Sequence, residues 1–281
     1  VLRLKSQLRK QISGLGRECW PFRLFSLKDH LLHMNTLLFP TDFATTTDAP
    51  LAWVRLFARK TGATITLLHV YQPIVPDTTL PSVADPAAGI GVSTPASLEL
   101  ETISRQNLDA LAMSLQGEGF SVESEWRIGS VEDEIIDAAR QYNADLIVMG
   151  RSDLSTFFDR LSGTSVSDVV DKVRCPVLVV PTPDADSSKA TYPAEVKSIA
   201  YAMQPQTQQS DVARQTSSLV DAFDATLMIL TEEQMKDTLA DLIVMELYPQ
   251  TGFLDKLFHP SYAAALITKS DVPVLVYHQP D

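Results

Sequence analysis

The sequence predicts an α/β fold built as two tandem, doubly wound parallel sheets of the five-stranded type, the second trimmed. Two observations carry this expectation. From Met34 onward, short apolar, β-branched runs alternate with longer helical stretches, which is the pattern of a parallel sheet covered by helices. The run Ala-Asp-Leu-Ile-Val-Met then occurs twice, at Ala144 to Met149 and at Ala240 to Met245, 96 positions apart. After the first copy come Phe157-Phe158-Asp159-Arg160-Leu161 and Pro176 to Val180; after the second come Phe253-Leu254-Asp255-Lys256-Leu257 and Pro273 to Tyr277. The loops between these stretches differ, with Gly150, Asp153, Gly163 and Thr164 in the first against Glu246, Pro249, His259 and Pro260 in the second. The repeat thereby separates scaffold from site.

Taken in order, the first strand is Thr36 to Pro40. A helix follows with Asp48 at its start, Pro50 in its first turn and Trp53, Leu56 and Phe57 at the spacing of a buried face, and it stops near Gly62. The second strand is Thr64 to Val70. Tyr71 to Pro95 holds five prolines and two glycines, too long and too broken for a simple connection, and reads as a mobile flap. A helix from about Ala96 to Gln116 puts Leu108, Leu111 and Leu115 on one stripe and ends at Gly117 and Gly119. The third strand is about Ser121 to Arg127. Ser130 with Asp133 resembles a capping box opening a helix whose apolar face includes Val131, Ile135, Ile136 and Ala139. Strands at Asp145 to Met149 and Val177 to Val180 flank a helix at about Thr164 to Lys172.

The second half restarts with a strand at Val196 to Met203, a helix over about Ser210 to Ala222 and a strand at Thr226 to Leu230. Only about ten residues, Thr231 to Ala240, then precede the next strand, so the counterparts of the second helix and third strand have no room. The expected division is an N-terminal extension at 1–33, a first domain at 34–182, a polar linker at 183–192 and a truncated second domain at 193–281. Pairing of Val177 to Val180 with Val274 to Tyr277 within one chain would hide two open sheet edges.

With 281 residues, 45% of them hydrophobic, each domain can bury a core. No apolar run approaches the ~18 residues of a spanning helix, and residues 1–33 lack the apolar centre and cleavage site of a signal peptide. Two cysteines, Cys19 and Cys175, are too few for a disulfide framework. A cytoplasmic protein is the expectation. The net charge of −12 argues against nonspecific nucleic-acid binding, which needs clustered Lys and Arg. Residues 1–33 nevertheless carry seven Lys or Arg against Glu18 and Asp29. They read as an extension upstream of a start at Met34, the competing reading being a basic arm for an acidic partner or membrane surface. His30, His33, His69, His259 and His278 make no metal-ligand spacing, and no metal is expected. No catalytic motif is present, and Glu132, Asp133 and Glu134 read as a first-turn charge cluster.

In a doubly wound sheet ligands bind beyond the C-terminal strand ends where the strand order reverses. Those ends carry Pro40-Thr41-Asp42, His69-Val70 and Met149-Gly150, and Gly150-Arg151-Ser152-Asp153 is followed after nine residues by Gly163-Thr164-Ser165 at the start of a helix. This segment resembles the universal stress protein family, whose ATP-binding members carry Gly, two residues, Gly, nine residues, then Gly with Ser or Thr. The Pro-Thr-Asp-Phe, Leu-Leu-His-Val and Cys-Pro-Val-Leu-Val-Val strand segments are similar to that family too, over Met34 to Pro181 and in part over Val196 to His278.

The resemblance implies a tandem, non-enzymatic stress-response protein whose first domain has a nucleotide-binding α/β fold, with homo-oligomers or protein partners as its contacts. It places Pro40, Asp42, Val70, Met149, Gly150, Asp153, Gly163, Thr164 and Ser165 around an adenine nucleotide such as ATP, with magnesium. By position Asp42 and Val70 border adenine and ribose, Met149 and Gly150 the sugar and first phosphate, and Gly163, Thr164 and Ser165 the outer phosphates. Glycines let backbone N–H groups approach phosphate oxygens, and a helix N-terminus adds a favourable dipole. Asp153 departs from the pattern, since it replaces a glycine with a negative side chain. A like charge at ~5 Å in an effective dielectric near 20 costs about 3 kcal/mol, roughly a hundredfold in affinity, unless Arg151, Arg160 or a magnesium ion offsets it. Two other readings stand beside this one: a nucleotide hydrolase or transferase with the Tyr71 to Pro95 flap as lid, and an interaction scaffold with no nucleotide site.

Overall fold

The computed structural model describes residues 33–43, 48–72, 95–150, 167–181, 195–202, 211–230, 234, 238–247 and 270–278. The expected extension, most of the expected flap, the linker and the loop at 151–166 lie outside the described residues. The first half runs β1 (Thr36–Pro40), α1 (Asp48–Thr61), β2 (Thr64–Tyr71), α2 (Pro95–Gly117), β3 (Val122–Ile128), α3 (Val131–Gln141), β4 (Leu146–Gly150), α4 (Ser167–Lys172) and β5 (Val177–Val180). The second runs β6 (Ser198–Ala202), α5 (Asp211–Phe223), β7 (Thr226–Leu230), β8 (Leu242–Leu247) and β9 (Val274–His278).

The nine strands among the described residues belong to one sheet in the order β3-β2-β1-β4-β5-β9-β8-β6-β7. Reading inward from either edge gives the same sequence of roles, except that among the described residues the second half shows no counterpart of α2 and β3 between β7 and β8. Every pairing is parallel but one: β5 and β9 run antiparallel, with Val177 opposite Val276, Leu178 opposite Leu275 and Val179 opposite Val274. The intrachain pairing expected from the sequence is therefore present. Both strands are buried, as apolar strands covered on two faces must be.

Helical faces cover this continuous sheet. Trp53 and Phe57 of α1, Leu108 and Leu115 of α2 and Leu219 and Phe223 of α5 pack in one core with Leu178 and Leu275. Ile135 and Ile136 of α3 and Val169 and Val170 of α4 pack in the other with Val177 and Val276. The Phe57 and Phe223 rings meet edge to face at 5.4 Å, so α1 and α5 touch across the two halves. α1 ends where Gly62 takes φ +75° and its N–H donates to Ala58 O at 2.8 Å, a conformation that favours glycine.

At α3 the local chemistry differs from the expected capping box. Ser130 occupies the N-cap position in an extended conformation, but its side chain makes no capping hydrogen bond. Glu134 instead lies against Gly129 and pairs with Arg127 at 3.2 Å, while the acidic first turn supplies charge to the helix dipole. Glu132 does more than face solvent. It is 7% exposed and accepts from Lys172 Nζ at 2.5 Å, which ties α3 to α4.

The duplicated Ala-Asp-Leu segment has a structural explanation in its aspartate. Asp145 Oδ2 accepts from the Asn35 N–H at 2.6 Å and the Thr36 N–H at 3.1 Å, joining the start of β4 to the start of β1. Asp241 Oδ2 accepts from the Lys197 N–H and the Ser198 N–H, each at 2.8 Å, and from Ser198 Oγ at 2.9 Å. One carboxylate in each half thus satisfies two backbone donors that precede the first ladder bonds.

The outer margins of the sheet contrast. β3 carries Glu123, Glu125 and Arg127, whereas β7 carries no charge and leaves Ile229 53% exposed. Replacing Asp241 with alanine strands two N–H groups and is expected to lower stability by about 2 kcal/mol, with Asp145→Ala close behind. Urea unfolding of each variant measures it, and a loss below about 0.5 kcal/mol would show that water serves these donors as well as the carboxylate does.

Candidate functional site

From β1 the chain turns to β2 on one side and later returns to β4 on the other, so the strand order reverses between β1 and β4. In doubly wound sheets ligands bind at such a reversal, beyond the C-terminal strand ends. Around it the described chain presents Pro40, Thr41 and Asp42 after β1, His69 and Val70 near the end of β2, and Met149 and Gly150 at the end of β4.

The turn after β1 is built tightly. The Thr41 N–H donates to Leu68 O at 2.9 Å, which extends the β1 and β2 ladder by one residue. Thr41 Oγ1 accepts from the Phe43 N–H at 3.1 Å, and Phe43 is held at φ +62°. A bulky residue in that region costs roughly 1–2 kcal/mol, so its neighbours must hold it there. One of them is His69, whose ring centroid is 4.8 Å from that of Phe43.

His69 Nδ1 is 2.8 Å from Thr41 O. A carbonyl only accepts, so Nδ1 carries the hydrogen and Nε2 is left as an acceptor. Burial pulls the His69 pKa below its ordinary 6.5, outweighing the Thr41 hydrogen bond and the Asp42 charge, which both raise it. The imidazole is neutral at pH 7. With Asp42 half-buried beside it, this rim offers acceptors, which suits a ligand's hydroxyl or amino hydrogens better than a phosphate.

The sequence-derived site residues separate into three groups. Asp42 lies at the rim, and Gly150 ends β4 with no side chain above its backbone. Pro40, Val70 and Met149 are buried, and the Val70 and Met149 side chains pack in the core with Leu38 and Ile147. Asp153, Gly163, Thr164 and Ser165 lie outside the described residues. Thr41, Phe43 and His69 shape the turn although none was among the expected contacts. The signal for His69 was a polar residue in the apolar strand Thr64–Tyr71.

An open α/β sheet with a shaped strand end at its switch point defines a class of ligand-binding folds. The profile of the universal stress protein family matches residues 34–181, more than half of the chain, and the chain belongs to that family. A universal stress protein of Methanocaldococcus jannaschii is 26% identical over 150 residues, covering 51% of this chain and 93% of its own. One from Synechocystis is 32% identical over 82 residues, covering 29% and 53%. Among solved structures, a universal stress protein from Archaeoglobus fulgidus superposes with a TM-score of 0.65 at 17% identity over 90% of this chain and 99% of its own. A protein of unknown function from Pseudomonas aeruginosa gives 0.59 at 15% identity over 88% and 94%. At such identities the structural likeness shows the fold, and it extends across both halves.

Because folding depresses the His69 pKa, the folded chain binds fewer protons than the unfolded one below pH 6.5. This contribution to stability is complete above pH 6.5 and declines as the pH falls through the folded-state pKa. His69→Asn is expected to flatten that part of the stability profile between pH 7 and pH 5, as followed by thermal unfolding; an unchanged slope would assign it to other groups.

Proposed function

We propose that the protein is a tandem universal stress protein. Residues 34–182 form a nucleotide-type domain, 183–192 a linker and 193–281 a truncated domain that serves as a built-in dimer partner. The antiparallel β5 and β9 pairing carries this reading, because it joins two strand sets of the same order through their last strands. The second half is structural: Glu246 stands where the first half has Gly150, and Pro249 and Pro260 remove backbone donors from the following loop.

The first half keeps the described portion of an adenine-nucleotide crevice. Asp42 and the His69 rim suit ribose and base hydrogens, and the bare backbone at Gly150 suits a phosphate. Residues 151–165 would supply the remaining phosphate contacts, with Asp153 opposing them by charge. ATP with magnesium is therefore held weakly, and the chain acts in the stress response through protein contacts more than through chemistry on the nucleotide. A cytoplasmic location fits this role.

Calorimetric titration of the whole chain with ATP and magnesium tests the reading, alongside Asp153→Gly. The parent is expected to bind no tighter than about 1 mM and the variant at least roughly tenfold tighter. Micromolar binding by the parent, or no gain in the variant, would remove Asp153 as the deciding residue.

A further inference from the structure

A cavity of about 690 Å³ opens at the end of the first half's sheet opposite Asp42 and Gly150. Its position follows from the seam. Antiparallel pairing brings the C-terminal end of β9 beside the start of β5, so Tyr277 faces the same space as Cys175 and Pro176, with Gln215 of α5 adding a wall. One copy of the repeat could not enclose it. The volume falls in the range of small-molecule sites.

Its lining is donor-rich in a chain of net charge −12. Arg140 and Arg174 both line the cavity. The neighbouring carboxylate, Asp145, is already engaged by the Asn35 and Thr36 N–H groups. Near the end of α3, Ala138 O accepts from the Tyr142 N–H, Ala139 O from the Ala144 N–H and Arg140 O from the Asn143 N–H. Arg140 and Arg174 bring two guanidinium groups to this lining. Among the described residues Arg140 pairs with the exposed Asp137 at 3.5 Å, an ion pair too weak to hold it from a better one. Burial keeps two further groups neutral, raising the Tyr277 phenol and pushing the Cys175 thiol up to about 11. Ile136, Ala139 and Val173 make an apolar wall.

We infer that this seam cavity binds a small organic anion, with Arg140 and Arg174 on a single carboxylate or phosphate-monoester head and the Ile136, Ala139 and Val173 wall against an apolar body. Two guanidinium groups give charge-assisted hydrogen bonds to such a head. This site is separate from the nucleotide crevice and does not rest on it.

The test titrates the full chain with benzoate, phenyl phosphate and inorganic phosphate. At least one of the two organic probes is expected to saturate below about 10 mM, the one that binds naming the head group, and inorganic phosphate to bind at least roughly tenfold more weakly. Bound probe is expected to slow maleimide alkylation of Cys175, read by peptide mass spectrometry. Arg140→Gln with Arg174→Gln is expected to weaken binding roughly tenfold or more. The inference is overturned if neither organic probe saturates, if inorganic phosphate binds as well as they do, or if Cys175 reacts at the same rate with probe bound. Unchanged affinity in the double glutamine variant overturns it too.

Discussion

Everything in this architecture depends on the contact between β5 and β9. A parallel module ends with an open strand, and two modules in one chain leave two such edges unless the edges meet. Three register pairs, Val177 with Val276, Leu178 with Leu275 and Val179 with Val274, close both at once. The pairing also decides direction. Because it is antiparallel, the strands of the two halves point opposite ways, and each helical layer spans the junction, as the Phe57 and Phe223 contact illustrates. Two hydrophobic cores, each drawn from both halves, make the halves one folding unit in the described region.

Much of this was legible in the chain. The strand bounds Val177 to Val180 and Thr226 to Leu230 agree with the structure residue for residue, because each is a short apolar run bracketed by turn residues. Helix faces were readable for the same reason, with Trp53, Phe57, Ile135 and Ile136 recurring at helical spacing. The repeated Ala-Asp-Leu segment was visible, but the purpose of its aspartate was not. Asp145 and Asp241 act on backbone groups 109 and 43 residues away, and no local pattern encodes a contact across that distance. The capping box expected from Ser130 and Asp133 is not formed, since the Ser130 side chain makes no capping hydrogen bond, and the pairing of the neighbouring Glu134 with Arg127 of the preceding strand is a contact that no capping motif encodes.

The candidate site was readable to a lesser depth. Strand ends follow from strand bounds, so Asp42 and Gly150 were placed by position alone. The use of each residue was not. Val70 and Met149 alternate into the core, which a list of strand-end residues cannot distinguish from a ligand-facing orientation. The reverse holds for His69, whose role depends on the Thr41 carbonyl 28 residues earlier and on Phe43 adopting a backbone conformation that no propensity favours.

Among the described residues no helix and strand corresponding to α2 and β3 follow β7, which leaves that strand at the margin of the sheet. At the far margin of the sheet, Glu123, Glu125 and Arg127 discourage another chain from adding itself. Among the described residues no strand pairs with the outer side of Thr226–Leu230, which carries no charge and runs beside apolar side chains. Of the two outer margins of the described sheet, this uncharged ribbon offers the lesser electrostatic resistance to the addition of a further strand.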